Sequence, residues 1–577
     1  MRRWLLGVAL AAFVPAAAYA QTDADLLKAD KDTHNIFYGG GYSQNRYSPL
    51  DKINTKNVSD LTPVFAVQLS NDKAHEEQPI LWQGVFYLSD HNATLAVDAK
   101  TGQVLWKNVL DYPADLAKEV CCGQISRGVA VYDGKVFRAS LDDNLYAYDA
   151  KTGKELWKQN VFDYKQGYAM TGAPLIAEGV LMTGIAGAEY GARDFIDGWD
   201  PATGKRLWRT YIPACAPDKG GDTWGSGDAC KRGGGSTWIT GSYDPETHMV
   251  YWGTGNPGSW FVADRPGDNL YTSSVIAFSP KDGQIKWHYQ FSPHDGMDFD
   301  GVNEMVLTTL KVDGKDTKVI LHADRNSFFY VIDRTNGKLI QAFPFAKQNW
   351  AEKIDLQTGR PVLTQDAKDY YDNGKPVALW PYFYGGKNWS PMSFDQQNGL
   401  VYINALNYGF KAAQKKQEYH AGEFYFGADF LGPVDPPDAT GGFLKAIEPM
   451  TGKVVWQQPS FIPRYAGILS TGGGIVVTGT LTGEVEAFDA ANGKELWHFQ
   501  AGSGVEGQPI TYELDGHQYI AITSGNGGVL TSVVNDPRLA NIPRAGTLWV
   551  FGLHSEQMQA MQNGETNDAG PGGKKKM

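Results

Sequence analysis

The phrase Ala-x-Asp-x-x-Thr-Gly-x-x-x-Trp recurs along the chain and restricts its fold more than any other feature. Clear copies, with small variations, lie at 96–106, 147–157, 198–208, 277–287, 446–456 and 487–497, and degenerate copies can be read at 331–337 and 393–401. The Asp and the Gly form a tight turn between two strands, and the Trp is a large flat group suited to packing between sheets. This repeat predicts an all-β chain, an eight-bladed β-propeller with tryptophan-docking repeats.

The repeat also predicts the domain organisation. A chain of 577 residues would suggest about four domains from its length, whereas the repeats belong to one ring with about 70 residues per blade. We expect a signal peptide at 1–20, the propeller at 21–555 and a polar C-terminal tail at 556–577. The wide spacings from Trp208 to Trp287 and from Trp287 to Trp456 indicate long insertions, which are expected to carry the functional site.

The N-terminus has the pattern of a secretory signal peptide. Arg2 and Arg3 precede an apolar run from Trp4 to Ala20 that ends in Ala-Tyr-Ala, so cleavage is predicted after Ala20. The run is short and contains Pro15, which makes a retained membrane anchor the weaker interpretation. The mature protein is therefore predicted to lie in the periplasm, without a membrane span.

The charge of the chain excludes a nucleic-acid-binding protein. Its 52 basic and 64 acidic residues give a net charge of −12, and phosphate binding needs clustered Lys and Arg. The one basic run, at 574–576, lies in the polar tail and is interpreted as a solvated end.

Four cysteines fit an oxidising compartment. Cys215 and Cys230 lie 15 residues apart in a loop rich in Gly and Asp, where they could form a local disulfide. Cys121 and Cys122 are adjacent, which leaves two interpretations: a small strained ring at a functional site, or two buried thiols in a strand. The chain has no Cys-x-x-Cys-His motif and so no covalently attached c-type haem.

Segments rich in chemically active side chains lie between the repeats. They are Cys121-Cys122 with Arg127, Gly187-Ala188-Glu189, the glycine-rich stretches 233–238 and 253–258, Asp298-Phe299-Asp300, and 322–326. With these motifs the chain resembles the periplasmic alcohol dehydrogenases that depend on pyrroloquinoline quinone (PQQ), the family of eight-bladed methanol and ethanol dehydrogenases. The resemblance runs from 46–50 to 546–550, nearly the whole mature chain.

The resemblance implies a set of cofactor contacts. Cys121 and Cys122 match a vicinal disulfide on one face of the planar quinone, and Trp238 matches an indole on the other face. Arg325 matches a cation beside the quinone oxygens. Further contacts are implied for Glu76, Arg127, Thr171, Gly187, Ala188, Asn388 and Trp389. Relatives often carry Ser shortly before Glu189, where this chain has Ala-Gly-Ala at 186–188, so backbone N–H groups are expected to replace a hydroxyl.

The resemblance also implies a metal site and a catalytic base. Glu189 and Asn256 match metal ligands, and oxygen donors suit Ca²⁺ or a lanthanide better than Zn²⁺. Asp298 matches the base that takes the alcohol proton as hydride passes to the quinone. Asp300, two positions later, is typical of relatives that use lanthanides, which favours a lanthanide(III) ion with Ca²⁺ as the alternative.

The predicted function is oxidation of an alcohol to an aldehyde or ketone by hydride transfer to PQQ. Without a haem motif the electrons are expected to leave through a periplasmic cytochrome c, which an acidic surface would attract if it is basic; the family is compatible with a homodimer. One alternative keeps the chemistry with a sugar, polyol or bulky secondary alcohol as substrate. Another is a non-enzymatic periplasmic propeller scaffold, which would share the repeat but lack the site residues.

The sequence also indicates where the substrate enters. The segments 110–120, 405–440 and 525–545 are expected to shape the entrance. Aromatic residues at 407–410 and at Tyr425-Phe426 favour a substrate larger than methanol.

Overall fold

The computed structural model describes residues 20–562 apart from 72, 226, 227, 435, 437–439, 529–533 and 535. The predicted signal peptide up to residue 19 and the basic run at 574–576 lie outside the described residues. No helix in the described part is long and apolar enough to cross a membrane.

The described part is built mainly from strands, which confirms the all-β prediction. The strands are β1 (Tyr47–Ser48), β2 (Leu61–Asn71), β3 (Ile80–Trp82), β4 (Val85–Ser89), β5 (Ala93–Asp98), β6 (Val104–Val109), β7 (Ala130–Tyr132), β8 (Lys135–Ala139), β9 (Asn144–Asp149), β10 (Glu155–Asn160), β11 (Leu175–Ala177), β12 (Val180–Gly184), β13 (Phe195–Trp199), β14 (Arg206–Tyr211), β15 (Ser242–Asp244), β16 (Met249–Gly253), β17 (Ser274–Phe278), β18 (Ile285–Gln290), β19 (Val306–Val312), β20 (Lys315–Ala323), β21 (Phe328–Asp333), β22 (Lys338–Pro344), β23 (Ala351–Ile354), β24 (Pro361–Leu363), β25 (Val377–Leu379), β26 (Ser393–Asp395), β27 (Leu400–Leu406), β28 (Gly409–Gln414), β29 (Ala428–Val434), β30 (Gly442–Ile447), β31 (Val454–Ser460), β32 (Leu469–Thr471), β33 (Ile475–Gly479), β34 (Glu484–Asp489), β35 (Glu495–Gln500), β36 (Ile510–Leu514), β37 (His517–Ser524) and β38 (Ala545–Leu553). The α-helices are α1 (Asp23–Leu26), α2 (Leu116–Glu119), α3 (Gln365–Asn373), α4 (Pro537–Ala540) and α5 (His554–Gln562), so the predicted C-terminal tail begins inside a helix.

Sheets of four or five strands follow one another along the chain. Five consist of consecutive antiparallel strands, β3–β6, β7–β10, β11–β14, β15–β18 and β19–β22, and a sixth has the order β26-β27-β30-β31. A seventh joins β32–β35 to β1, and an eighth has the order β2-β38-β37-β36. The largest buried hydrophobic cluster spans three consecutive sheets and includes Phe137, Leu181 and Trp252, so the core lies between sheets as well as within them.

The repeated phrase forms the turn between the third and fourth strands of a sheet. In the first copy, Oδ1 of Asp98 accepts hydrogen bonds from the N–H and hydroxyl of Thr101 at 2.8 and 2.9 Å, and Gly102 follows with a φ of +74°. The degenerate copy at 331–337 occupies the same place between β21 and β22. The copy read at 393–401 was wrong, because it lies between β26 and β27, the first two strands of its sheet.

The eighth sheet lacks the phrase because of its topology. Its third strand, β38, and its outer strand, β2, come from opposite ends of the chain, and Leu61 pairs with Leu553. No turn joins these strands, so the turn motif has no place there. Phe65 on β2 stands in for the Trp: a Cβ on Gly102 would lie 2.6 Å from its ring, as a Cβ on Gly153 would lie 2.7 Å from the ring of Trp106.

Indole N–H groups of the phrase connect neighbouring sheets. These hydrogen bonds run from Trp106 to the carbonyl of Ala150 (2.9 Å), Trp157 to Pro201 (3.2 Å), Trp208 to Pro280 (2.9 Å), Trp456 to Ala490 (2.9 Å) and Trp497 to Leu61 (3.1 Å). The last bond links the seventh sheet to the eighth.

Long segments extend from the sheets where the repeat spacing is wide. The segment 212–241, between β14 and β15, holds a disulfide between Cys215 and Cys230. A second insertion contains β23, β24 and α3, followed by a three-stranded sheet of β25, β28 and β29. Both insertions contribute side chains to the cavity described next.

Candidate active site

A cavity of about 530 Å³ contains most of the predicted site residues. Twelve of them line it: Glu76, Cys121, Cys122, Arg127, Thr171, Glu189, Trp238, Asp298, Asp300, Arg325, Asn388 and Trp389. The other three, Gly187, Ala188 and Asn256, are not in the lining, but each contacts a residue that is. The structure therefore brings together side chains from across the sequence.

Two apolar groups on the cavity wall suit a flat ligand. Cys121 and Cys122 are joined by a disulfide, and Trp238 also lines the cavity. The guanidinium of Arg127 lies 4.6 Å from the ring centre of Trp238 and 5.3 Å from that of Trp389. These cation–π contacts hold both indoles in fixed positions.

Arg127 bonds two other predicted cofactor contacts. Its Nη2 lies 2.6 Å from Oε2 of Glu76, and its Nη1 donates to the hydroxyl of Thr171 at 2.8 Å. Asn388 is fixed separately, by a bond from its Nδ2 to the carbonyl of Tyr384 at 2.9 Å.

Three buried donors in the wall are left over. Nε of Arg127, Nε of Arg325 and Nε1 of Trp389 have no hydrogen-bond partner among the described residues. A buried N–H without a partner costs free energy, so a wall with three of them fits a ligand rich in acceptor oxygens.

Asp298 and Asp300 share one guanidinium. Nη2 of Arg325 donates to Oδ2 of Asp298 at 2.8 Å, and Nη1 donates to Oδ2 of Asp300. Asp300 also accepts the indole N–H of Trp238 on Oδ2 at 3.0 Å and the backbone N–H of Asn256 on Oδ1 at 2.7 Å. Both carboxylates are buried, so these charge-assisted bonds fix their orientation.

The side-chain amide of Asn256 lies among three carboxylates. One end is 3.0 Å from Oδ1 of Asp300, 3.2 Å from Oδ1 of Asp298 and 3.3 Å from Oε1 of Glu189, while the other end is 3.1 Å from Nε1 of Trp260. With its nitrogen toward the carboxylates the amide offers two N–H donors to three acceptor oxygens, and with its oxygen toward them it completes a set of four oxygen donors. Which end faces them depends on whether a cation lies among them.

The carboxylates alone do not enclose a metal position. Among the described residues, no three His, Cys, Asp or Glu side chains form a metal-binding group by themselves. Arg325 draws one oxygen of Asp298 and one of Asp300 to itself, and the Asn256 amide lies between the remaining oxygens. The Asn256 amide is therefore the group that lies near all three carboxylates.

Burial and the neighbouring carboxylates raise the pKa values of Glu189 and Asp298. Burial, and then the charge of Asp300, raise the pKa of Glu189 to about 7. Burial raises the pKa of Asp298 well above its usual range; Arg325 opposes this shift, and Asp300 and Glu189 add to it. A cation among them would remove the repulsion and favour the ionised forms.

Comparison with known proteins gives this cavity a context. The chain matches the family described as "PQQ: Glucose/ethanol/alcohol dehydrogenase, beta-propeller domain" over residues 36–353 and 439–520. It is 40% identical to the quinoprotein alcohol dehydrogenase PedH of Pseudomonas putida, covering 97% of this chain and 98% of that protein. The chain belongs to the PQQ-dependent alcohol dehydrogenases. Its function is PQQ-dependent alcohol oxidation, and the alternative of a non-enzymatic scaffold is excluded.

Solved structures agree with the family of this dehydrogenase. A europium-containing methanol dehydrogenase superposes with a TM-score of 0.87 at 33% identity, covering 92% of this chain and all of that one. The quinohemoprotein alcohol dehydrogenase from Comamonas testosteroni also gives 0.87, at 35% identity, covering 93% of this chain and 84% of that one. A quinoprotein ethanol dehydrogenase of Pseudomonas aeruginosa is 38% identical over 95% of each chain.

A hydroxyl that the sequence did not point to lies beside two of the predicted contacts of the dehydrogenase. Oγ of Ser236 accepts the backbone N–H groups of Gly187 and Ala188 at 3.3 and 3.2 Å and donates to Oδ2 of Asp194 at 2.7 Å. The two N–H groups expected to replace a missing hydroxyl are thus bound to a hydroxyl from another segment. The signal was present, because Ser236 lies in the glycine-rich stretch beside Trp238 and lines the cavity.

Aromatic side chains line much of the dehydrogenase cavity. Phe424 and Phe430, each 43% exposed, lie where it meets solvent, and with Phe426 they form what we call its aromatic mouth. Phe383, Phe424, Phe426, Phe430 and Trp260 line the cavity together with Ala117 and Val120 from the region of α2. Of the aromatics named from the sequence, Phe426 belongs to this lining. Tyr425 does not; it packs edge-on against Tyr419 instead. Of the three segments expected to shape the substrate entrance, 110–120 and 405–440 contribute side chains to the cavity wall, whereas no described residue of 525–545 lies in the lining.

Proposed function

We propose that PQQ lies in this cavity between the Cys121–Cys122 disulfide and Trp238, with a cation among Glu189, Asn256, Asp298 and Asp300. The observation that carries the proposal is the Asn256 amide, which lies 3.0–3.3 Å from three carboxylates. Oxygen ligands bound to one ion at about 2.3–2.6 Å lie about 3 Å apart, so the donor set fits a hard cation. The unpaired N–H groups of Arg127, Arg325 and Trp389 fit the carboxylate and quinone oxygens of PQQ.

A lanthanide(III) ion is favoured over Ca²⁺. Asp300 adds a third carboxylate to the set, and a more highly charged ion gains more from an additional anionic ligand. When bound, PQQ supplies the two-electron acceptor and the cation polarises the reacting oxygen as a Lewis acid.

The chain's own residues position and deprotonate the alcohol. The carboxylate of Asp298 accepts the hydroxyl proton of the alcohol. Nη2 of Arg325 donates to Oδ2 of Asp298 at 2.8 Å and so fixes the orientation of this carboxylate. Arg325 also bonds the carbonyl of Phe383, so the guanidinium cannot turn away from the two carboxylates. Asp298 is 7% exposed, and the aromatic mouth limits the access of water to the reacting groups.

The mouth favours an alcohol with an apolar group larger than methyl. Phe424 stacks on Phe426 with 5.0 Å between ring centres, and Phe430 packs edge-on against Trp260 at 5.4 Å. Such a mouth removes apolar substrate surface from water. A sugar or polyol would leave its hydroxyl groups without partners against these rings, which disfavours that alternative.

The electrons leave through a separate basic cytochrome c of the periplasm. The chain has a net charge of −12, which would raise the rate of encounter with a basic partner. Two disulfides and the predicted signal peptide are consistent with that compartment.

The sheets form a closed ring of eight blades. Pairing of β2 with β38 joins the two ends of the chain in one sheet, and the bond from Trp497 to Leu61 joins that sheet to its neighbour. The indole bonds between sheets act as docking contacts around the ring.

Reconstitution tests the function. The apo-protein is loaded with PQQ and either La³⁺ or Ca²⁺, and dye reduction is followed with methanol, 1-butanol, 2-phenylethanol, a secondary alcohol and glucose. We expect turnover with La³⁺ and higher kcat/KM for the larger apolar alcohols. Equal rates for methanol and 1-butanol would contradict the role of the mouth, and absence of dye reduction with either metal would contradict the proposed site.

A further inference from the structure

The loop that carries Asp298 is held by a second carboxylate outside the cavity lining. Oδ1 of Asp295 accepts the backbone N–H of Met297 at 3.0 Å, and Oδ2 accepts that of Phe299 at 2.8 Å. These two N–H groups flank Asp298, whose φ of +62° lies in the left-handed region. A non-glycine residue persists there only when its surroundings fix it, and Asp295 supplies that restraint on both sides.

A buried arginine ties this loop to the loop that carries Asn256. Arg265 is 1% exposed. Its Nε donates to the carbonyl of Ser259 at 2.6 Å, and its Nη2 donates to the carbonyl of Asp295. Its Nη1 donates to Oδ1 of Asn269 at 2.7 Å. One rigid guanidinium therefore spans the segment that follows Asn256 and the segment that precedes Asp298.

The helix α3 holds the same loop from another side. The hydroxyl of Tyr370 donates to the carbonyl of Gly296 at 3.0 Å, and the hydroxyl of Tyr371 accepts the N–H of Gly296 at 3.4 Å. The N–H and the carbonyl of Gly296 are thus both bonded to α3, and the loop that carries Asp298 is fixed on several sides.

We infer that Arg265 and Asp295 are positioning residues that set the separation between Asn256 on one loop and Asp298 and Asp300 on the other. The inference rests on the proposed function, in which these three side chains hold the cation and Asp298 is the base. Arg265 and Asp295 act through the backbone, because neither lines the cavity. A small displacement of a reacting group costs about 10²-fold in rate, so their loss should affect turnover and cation binding more than folding.

The test compares Asp295→Asn with the wild type, both loaded with PQQ. The amide keeps the size of the side chain but can accept only one of the two N–H bonds. We expect kcat to fall at least about tenfold, with KM for 1-butanol changed by less than about threefold. Cation binding is read separately by Tb³⁺ luminescence. Trp238 and Trp260, which bond Asp300 and approach Asn256, can sensitise it. The Kd for Tb³⁺ should be at least about tenfold higher in Asp295→Asn than in the wild type, equivalent to about 1.4 kcal/mol.

Asp355→Asn is the matched control, since Asp355 accepts the N–H groups of Gln357 and Thr358 at 2.9 Å on an exposed turn. Arg265→Lys keeps the charge but cannot reach three oxygens, and it should weaken Tb³⁺ binding as Asp295→Asn does. If Asp295→Asn does not fold, Tyr370→Phe removes only the bond to Gly296 and should lower kcat and Tb³⁺ affinity by about threefold.

The inference would be overturned if Asp295→Asn had a lower melting temperature but unchanged kcat and unchanged Tb³⁺ affinity. If Asp295→Asn does not fold, the same result for Tyr370→Phe would overturn it. Failure of the proposed function is distinguishable, because it would appear in the wild type as absent dye reduction or absent Tb³⁺ luminescence. The inference concerns the difference between wild type and variant, and it would fall together with the proposed cation site if the wild type bound no Tb³⁺.

Discussion

The indole N–H of Trp238 donates to Oδ2 of Asp300 at 3.0 Å. The side chain proposed to lie against the quinone is therefore anchored by the carboxylate on which the proposed lanthanide preference rests. The same oxygen accepts Nη1 of Arg325, and the other oxygen accepts the backbone N–H of Asn256 at 2.7 Å. Asp300 thus connects Trp238, Arg325 and Asn256, which are proposed to contact the quinone, to orient the base and to bind the cation, and a change there should affect all three roles.

Replacing Asp300 by Ser should abolish La³⁺-supported turnover. The change removes a carboxylate ligand and leaves Trp238 and Arg325 without their shared acceptor. Dye reduction by the PQQ-loaded variant, assayed with La³⁺ and with Ca²⁺, measures the effect. Asp282→Ser, on an exposed turn, is the control. Unchanged turnover with La³⁺ would show that Asp300 is not a ligand.

Asp298→Asn should lower kcat by about 10²–10⁴-fold. The amide keeps one oxygen for the cation but cannot accept the alcohol proton, so Tb³⁺ binding should be weakened much less than turnover. Stopped-flow measurement of cofactor reduction, with Tb³⁺ luminescence in parallel, separates the two effects. Wild-type reduction rates in a folded variant would assign the proton to another group.

The Cys121–Cys122 disulfide should hold PQQ, whereas Cys215–Cys230 should not. The first pair lines the cavity, and the second lies in the 212–241 segment outside the lining. Replacing Cys121 and Cys122 by Ala removes a wall of the site and should weaken PQQ binding by about tenfold, equivalent to about 1.4 kcal/mol. Equilibrium dialysis with PQQ measures this, with the Cys215→Ala, Cys230→Ala double variant as control. Equal PQQ affinity in both double variants would contradict the assignment.

Much of the fold could be predicted because the repeat encodes local turn chemistry. Asp98, Thr101 and Gly102 form their turn from neighbouring residues alone, so the pattern is visible in the sequence. The pairing of β2 with β38 joins residues almost 500 positions apart, and no local pattern reports it. The copy read at 393–401 was wrong for another reason: a similar Asp turn also occurs between the first two strands of a sheet, here at Asp395 between β26 and β27.

Some residues of the candidate site could be predicted from local motifs, and others depend on contacts between distant segments. Side chains in distinctive motifs, such as Asp298 and Trp238, could be named from the sequence. Ser236 was missed because its role depends on the approach of Gly187 and Ala188 from another segment. Asp295 and Arg265 act on the backbone of the site loops, and nothing in their sequence distinguishes them from other buried charges.

Trp497→Phe should destabilise the protein if the sheets close into a ring. Its indole bond to Leu61 at 3.1 Å would be lost, at a cost of about 1 kcal/mol. Trp106→Phe, which breaks the bond to Ala150 between sheets adjacent in sequence, is the matched control. The melting temperatures of both variants should fall by similar amounts. A neutral Trp497→Phe beside a destabilising Trp106→Phe would contradict closure at this sheet.

Glu506 should make the protein less stable as the pH rises toward 8. Burial, and then the charge of Glu76, raise its pKa to about 8, and bonds from the N–H groups of Gly527 and Gly528 oppose the shift. Below the unfolded pKa of about 4.3 both states are protonated. Between about 4.3 and 8 the unfolded chain loses this proton while the folded one keeps it, so stability falls by up to about 1.4 kcal/mol per pH unit. Glu506→Gln removes this dependence, and its melting temperature relative to wild type should rise from pH 5 to 8 and level off above 8. Glu448→Gln, at an exposed position, is the control. If the melting temperatures of Glu506→Gln and the wild type changed in parallel from pH 5 to 8, the folded protein would not hold a proton on Glu506.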